Sequence, residues 1–157
     1  MSQTISILIA GTGGQGVLKA SQVLADALLR QGYDVKQSEV HGMSQRGGSV
    51  ISEVRFGETV HSPLTPHKKA DFVIAIAEDE GRRAAPCLKE GIGKLIEVSE
   101  EIISRLADHR SRNMAALGCL STHLDIPRAT WYDAIKHHLP PKSLANNFAA
   151  FDLGAES

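Results

Sequence analysis

Cysteine is scarce in this 157-residue chain: Cys87 and Cys119 stand far apart and neither belongs to a CxxC pair. That excludes a disulfide framework and offers no zinc or iron–sulfur ligand set, so both thiols are expected to be buried cytosolic cysteines. Aromatic residues amount to only 4%, too few for a base-stacking platform. A charge surplus is lacking too. The 17 Lys+Arg and 18 Asp+Glu give a formal net charge of −1, which excludes the basic face of a nucleic-acid binder and an acidic tail. Long hydrophobic runs are also missing: residues 5–10 and 72–77 fall far short of the ~20 that a membrane helix requires. The opening Met1-Ser2-Gln3-Thr4 carries no charged leader region. The expectation is a cytoplasmic protein with no nucleic-acid or membrane partner.

What is present is ordinary for a soluble globular protein, 42% hydrophobic and 22% charged. This length suits one domain over 1–157 with a core of its own. Ile5-Ser6-Ile7-Leu8-Ile9-Ala10 reads as a central strand buried on both faces. Val17, Leu18, Leu24, Ala25, Leu28 and Leu29 then recur at helical spacing up to Gly32. Residues 33–38 read as a second strand and 39–48 as a polar, glycine-rich loop. Residues 49–56 read as a third strand, with Gly57-Glu58 as a hairpin turn into 59–61. Residues 72–77 and 94–98 give two more strands. Ser99 is placed to cap a helix that opens with Glu100 and Glu101. Three helical segments follow: 114–124, one from Pro127 to Pro140 with Trp131 in the core, and 143–153. The expected architecture is a three-layer α/β/α domain with a largely parallel or mixed sheet, a Rossmann-like first βαβ and a helical C-terminal part.

Gly11-Thr12-Gly13-Gly14-Gln15-Gly16 satisfies GxGxxG between a strand and a helix, the context in which such a turn can bring backbone amides to an anion. Glu39, at the end of the second strand, stands where a ribose-binding acid belongs. This supports one reading, a free-standing dinucleotide-binding enzyme. Against it, a doubly wound fold should continue with a helix after the second strand, whereas a loop and another strand follow. The bland reading has the glycines serving close packing, with Gln15 bonded to a neighbouring loop or subunit.

A second motif is far more particular. Ser38-Glu39-Val40-His41-Gly42-Met43-Ser44-Gln45-Arg46-Gly47-Gly48-Ser49-Val50 combines three glycines with crowded polar chemistry, and Arg46 beside two glycines suits a carboxylate or phosphate. Glu39, His41 and Ser44 do not read as a hydrolase triad, because such groups need a nucleophile elbow. No catalytic residue and no metal ligand is assigned; His137-His138 reads as solvated surface.

GTGGQGV followed by SEVHGMSQRGGSV resembles the γ-type domain of 2-oxoacid:ferredoxin oxidoreductases, most of all the small subunit of indolepyruvate ferredoxin oxidoreductases. Val54-Arg55-Phe56-Gly57, Ser62-Pro63-Leu64, Ala70-Asp71, Asn113-Met114-Ala115-Ala116-Leu117-Gly118 and Asn147-Phe148-Ala149-Ala150-Phe151-Asp152-Leu153-Gly154 resemble family segments in the same order. The resemblance implies an oxidoreductase subunit that binds no cofactor alone. A larger subunit would carry thiamine diphosphate, Mg²⁺ and iron–sulfur clusters, coenzyme A would be co-substrate, and electrons would pass to ferredoxin. It implies that Gly11, Gly13, Gly14, Gln15 and Gly16, then Glu39 and His41 to Gly48, with Asn113, line a cofactor or subunit junction. The residues agree on a negative: no GDG precedes an NN pair at the thiamine spacing, and two cysteines cannot supply four thiolates. The chain departs from the family in being about thirty residues short between Ala77 and Asn113, beyond ordinary loop variation. An orphaned interaction module is therefore a third reading, and an isolated chain is open to forming a homodimer over its partner surface.

Overall fold

The computed structural model describes residues 3–41 and 48–157, with the backbone alone at His41. β1 (Ile5–Thr12) leads through a glycine loop into α1 (Val17–Arg30). β2 (Asp34–His41) and β3 (Ser49–Gly57) follow, then β4 (Phe72–Ala75) and α2 (Glu78–Ala84). β5 (Lys94–Glu97) and α3 (Glu100–Arg105) precede three longer helices, α4 (Arg112–Ser121), α5 (Arg128–His138) and α6 (Leu144–Ala155).

The sheet runs β2-β3-β1-β4-β5. β4 is parallel to β1 and β5 to β4, while β3 is antiparallel to both β1 and β2. β2 therefore runs in the same direction as β1, but β3 lies between them. Alternation along the strands separates two buried clusters. Ile7, Ile9, Val54, Phe56, Ile74 and Ile96 face α1, α4, α5 and α6 in the larger one. Leu8, Ala10 and Val73 face α2 through Ala84 in the smaller one. The three-layer α/β/α order stands, with layers of very unequal weight. Trp131 is buried among the larger group and packs at 5.3 Å from Phe151.

Several sequence expectations need correction. The hairpin is β2 to β3, not residues 49–61: β2 continues to His41, which stands opposite Val50, and Asp34 stands opposite Gly57. After Gly57 the chain leaves the sheet, since the Val60 N–H donates to Asp34 Oδ2 at 2.7 Å and Val60 is buried. That backbone bond, with Lys36 beside it, holds the Asp34 carboxyl below its usual range. The strand expected over 72–77 ends at Ala75, and α2 starts three residues later with no apolar periodicity to announce it. His138 is not simply solvated: its Nε2 lies 3.2 Å from Asp26 Oδ2, joining α5 to α1.

Arg55 ties two of the quoted segments together, and Ser6 joins a third to them. Its Nε donates to Ser6 Oγ at 2.9 Å, and its guanidinium also donates to the carbonyls of Ser62 and Leu64. Asp71 accepts from the Ser6 N–H at 2.8 Å and from Lys89 Nζ at 2.6 Å. These residues hold the face and edge of the sheet remote from the glycine loop, a structural lock.

Candidate functional site

The carboxyl ends of β1, β2 and β4 and the first residue of β3 share one edge of the sheet, where α1 and α2 begin. In open α/β sheets this edge is where ligands and partners are met. The loop between β1 and α1 is held by its own groups. Gln15 Oε1 accepts from the Thr12 N–H at 2.7 Å while the Gln15 N–H donates to the Thr12 carbonyl at 3.1 Å. Gln15 thus bonds within its own turn, not to a neighbouring loop as the sequence suggested. The Gly13 N–H donates to the Gly48 carbonyl at 3.0 Å, tying this loop to the stem of the β2–β3 hairpin. Three amide donors of the loop are therefore committed inside the protein, which reduces what a pyrophosphate could use.

Gly16 sits at φ 77, a left-handed conformation, as the residue before α1. Glycine takes this conformation without the penalty that a Cβ brings. Asn113, at the start of α4 and 6% exposed, donates from Nδ2 to the Gly16 carbonyl at 3.2 Å and accepts the Met114 N–H at Oδ1, 2.9 Å away. A Cβ on Gly16 would overlap that amide. Gly11 has its own constraint, since a Cβ there would lie 2.7 Å from Val17 Cγ2.

Two cavities flank the loop. One of about 460 Å³ lies on the hairpin side, lined by Thr12, Gly13, Gly14, Leu18, Lys19 and Glu39. The other, of about 320 Å³, is lined by Gly14, Gln15, Ile76, His109, Arg110 and Arg112. Gly14, exposed at φ 88, belongs to both. At the basic rim Arg110 chelates Asp108, with Nη2–Oδ2 at 2.9 Å and Nε–Oδ1 at 3.2 Å. The Arg110 side chain, then its backbone N–H, holds the Asp108 carboxyl below its ordinary range.

Of the residues expected from sequence, the fold brings together Gly11, Gly13, Gly14, Gln15, Gly16, Glu39, Gly48 and Asn113. His41 has its backbone at the end of β2, and Gly42, Met43, Ser44, Gln45, Arg46 and Gly47 lie outside the described residues. Glu39 does not sit where a ribose acid would. With β3 between, it stands two strand spacings from β1, roughly 10 Å, beside Ser52. Sequence reasoning missed Glu80, whose carboxylate accepts the Ser49 hydroxyl at 2.6 Å, and the cations His109, Arg110 and Arg112. The latter were legible as a basic run just before Asn113; Glu80 carried no signal in its short polar helix.

The two cysteines lie too far apart to share a ligand set. Cys87 packs with the smaller apolar group and Cys119 with the larger, on opposite sheet faces. Among the described residues no three His, Cys, Asp or Glu converge as metal ligands. Nor is any described helix long and apolar enough to cross a membrane.

Comparison with known proteins agrees in both sequence and fold. A profile described as pyruvate ferredoxin/flavodoxin oxidoreductase matches residues 6–100 and 93–157. Indolepyruvate oxidoreductase subunit IorB of Thermococcus kodakarensis is 31% identical over 191 aligned positions, covering 97% of this chain and 95% of that protein. Since the chain has 157 residues, more than thirty of those 191 positions fall opposite gaps in it. The γ subunit of a keto/oxoacid ferredoxin oxidoreductase from Geobacter sulfurreducens shares the fold, with TM-score 0.78 over 97% of this chain and 96% of the other at 23% identity. A 2-oxoglutarate:ferredoxin oxidoreductase from Magnetococcus marinus, solved with 2-oxoglutarate, coenzyme A and succinyl-CoA, superimposes with TM-score 0.79 at 21% identity. That match covers 98% of this chain and 31% of the larger one.

Proposed function

The chain belongs to the pyruvate ferredoxin/flavodoxin oxidoreductase family, and from that premise we propose that it is a non-redox subunit of a 2-oxoacid:ferredoxin oxidoreductase acting on an aryl 2-oxoacid such as indolepyruvate. The observation that carries this reading is the near end-to-end match to an indolepyruvate oxidoreductase subunit. The reaction converts the oxoacid and coenzyme A to acyl-CoA and CO₂ and hands two electrons, one at a time, to ferredoxin. Thiamine diphosphate with Mg²⁺ supplies the carbanion chemistry and iron–sulfur centres carry the electrons, all in a larger partner subunit. With two thiols on opposite faces of its sheet, this chain supplies surface and position instead.

In this reading residues 1–157 act as one cytoplasmic domain. The glycine loop and the stem of the β2–β3 hairpin form its junction with the partner and with coenzyme A. Gln15 and Asn113 keep the turn in shape, so that Gly13 and Gly14 present backbone without side chains. His109, Arg110 and Arg112 supply positive charge beside Gly14, which suits a polyanionic co-substrate. Glu39, His41 and the segment Gly42-Met43-Ser44-Gln45-Arg46-Gly47-Gly48 complete that junction, with Arg46 as anion partner.

The test is an anaerobic pull-down of the tagged chain from its native cells, followed by viologen reduction with indolepyruvate and coenzyme A. Recovery of a large thiamine- and cluster-bearing subunit, with activity absent from the isolated chain, is the expected result. The gaps against the relative favour one second reading, an interaction module that has lost its catalytic partner. Recovery of the chain alone, without activity, selects it.

A further inference from the structure

The geometry points to Glu80 as a positioning residue that sets the glycine loop from α2, through the stem of the β2–β3 hairpin, for coenzyme A use. This rests on the functional reading above. Glu80 is 6% exposed, and a buried carboxylate is costly unless it is paired and hydrogen-bonded. Its Oε2 accepts the Ser49 hydroxyl at 2.6 Å and its Oε1 lies 3.3 Å from Arg83 Nη1. Arg83 is itself 71% exposed, so the ion pair adds little holding power. The well-placed bond is the one to Ser49.

Ser49 follows Gly48, whose carbonyl accepts the Gly13 N–H at 3.0 Å. A continuous path therefore runs from Glu80 to Ser49, to Gly48 and to Gly13, across three separate stretches of backbone. The far end of the path is fixed as well. A Cβ on Gly81 would overlap that of Ala75, so α2 rests directly on β4 and cannot carry a bulkier residue there. The Gly81 N–H also donates to the Ala77 carbonyl at 2.9 Å. Glu80 thus sits in a helix start packed closely on β4, and its carboxylate sets where Gly13 and Gly14 stand relative to Arg110 and Arg112. A charge-assisted hydrogen bond of this kind accounts for roughly a tenfold effect on an affinity.

The test uses the assembled complex, with Ser49→Ala, Glu80→Ala, Glu80→Gln and Ser49→Thr introduced in this chain. Viologen reduction is followed against coenzyme A concentration, with subunit content checked by gel filtration. Ser49→Ala and Glu80→Ala should raise KM for coenzyme A about tenfold at little change in kcat. Ser49→Thr and Glu80→Gln, which keep the hydroxyl and an acceptor oxygen, should restore it. A parental complex that ignores coenzyme A overturns the functional reading and this assignment with it. A coenzyme A-dependent parent whose variants keep KM within about twofold overturns this assignment alone. Variants that all fail to assemble also overturn it, because Glu80 then serves folding only.

Discussion

Glycine serves two different ends in two regions of this molecule. Between α4 and α6 the pair Gly118 and Gly154 exists for close approach: a Cβ on Gly118 would overlap the Phe151 carbonyl, and one on Gly154 the Ala115 carbonyl. Each glycine faces the other helix's backbone, which no rotamer change can move aside. At the glycine loop the obstacle is of another kind. Gly14 at φ 88 has open space around its missing Cβ, and Gly16 at φ 77 meets only the Asn113 side chain. One region uses glycine for volume and the other for backbone conformation. Damage to the first should therefore read as lost stability, and damage to the second as lost function.

The largest effect is expected from Gly154→Val. Forcing α6 off α4 would strip contacts from Phe151 and Ala150, both about 1% exposed, and should cost on the order of 3 kcal/mol or more in urea unfolding. A variant as stable as the parent would break the comparison. Gly16→Ala comes next. Left-handed backbone with a Cβ costs about 1–2 kcal/mol, and the displaced Asn113 amide adds to it. Turnover by the reconstituted complex should fall at least about tenfold, beyond what a thermal melt of the variant explains. Asn113→Ala sharpens the point, since it removes the bond to Gly16 without touching the loop. A stability loss of about 1 kcal/mol is expected, with a similar direction in turnover. Asn113→Asp should not rescue, because a carboxylate cannot donate to the Gly16 carbonyl. Gly14→Ala should be mildest in denaturation, about 1 kcal/mol from backbone strain alone. If its midpoint fell as far as that of Gly154→Val, the division between volume and conformation would fail.

Much of this molecule was legible in the sequence for identifiable reasons. β1 and β4 are short apolar runs because they are buried on both faces, and α1 shows its stripe because one side meets the sheet. Ser99 caps α3 as expected, accepting the Ile102 N–H at 3.2 Å. The glycine loop and Asn113 were visible as motif residues. The hairpin was misplaced because Gly57-Glu58 has turn composition, whereas the strands that pair are β2 and β3, with His41 opposite Val50. α2 was invisible because five of the seven residues of EDEGRRA are charged and its helix is stabilised by tertiary contact rather than by an apolar stripe.

The sequence by itself determined the family and the layered α/β class, because apolar periodicity and loop motifs are local properties. Only the tertiary structure decided which strand lies beside which, since inserting β3 between β1 and β2 depends on long-range pairing that no local pattern encodes. The same holds for the edge of the sheet that carries the glycine loop. Asn113 meets Gly16, and Glu80 meets Ser49, because distant segments converge on one edge of a sheet, and hydrogen bonds form between groups that are near in space whatever their separation along the chain.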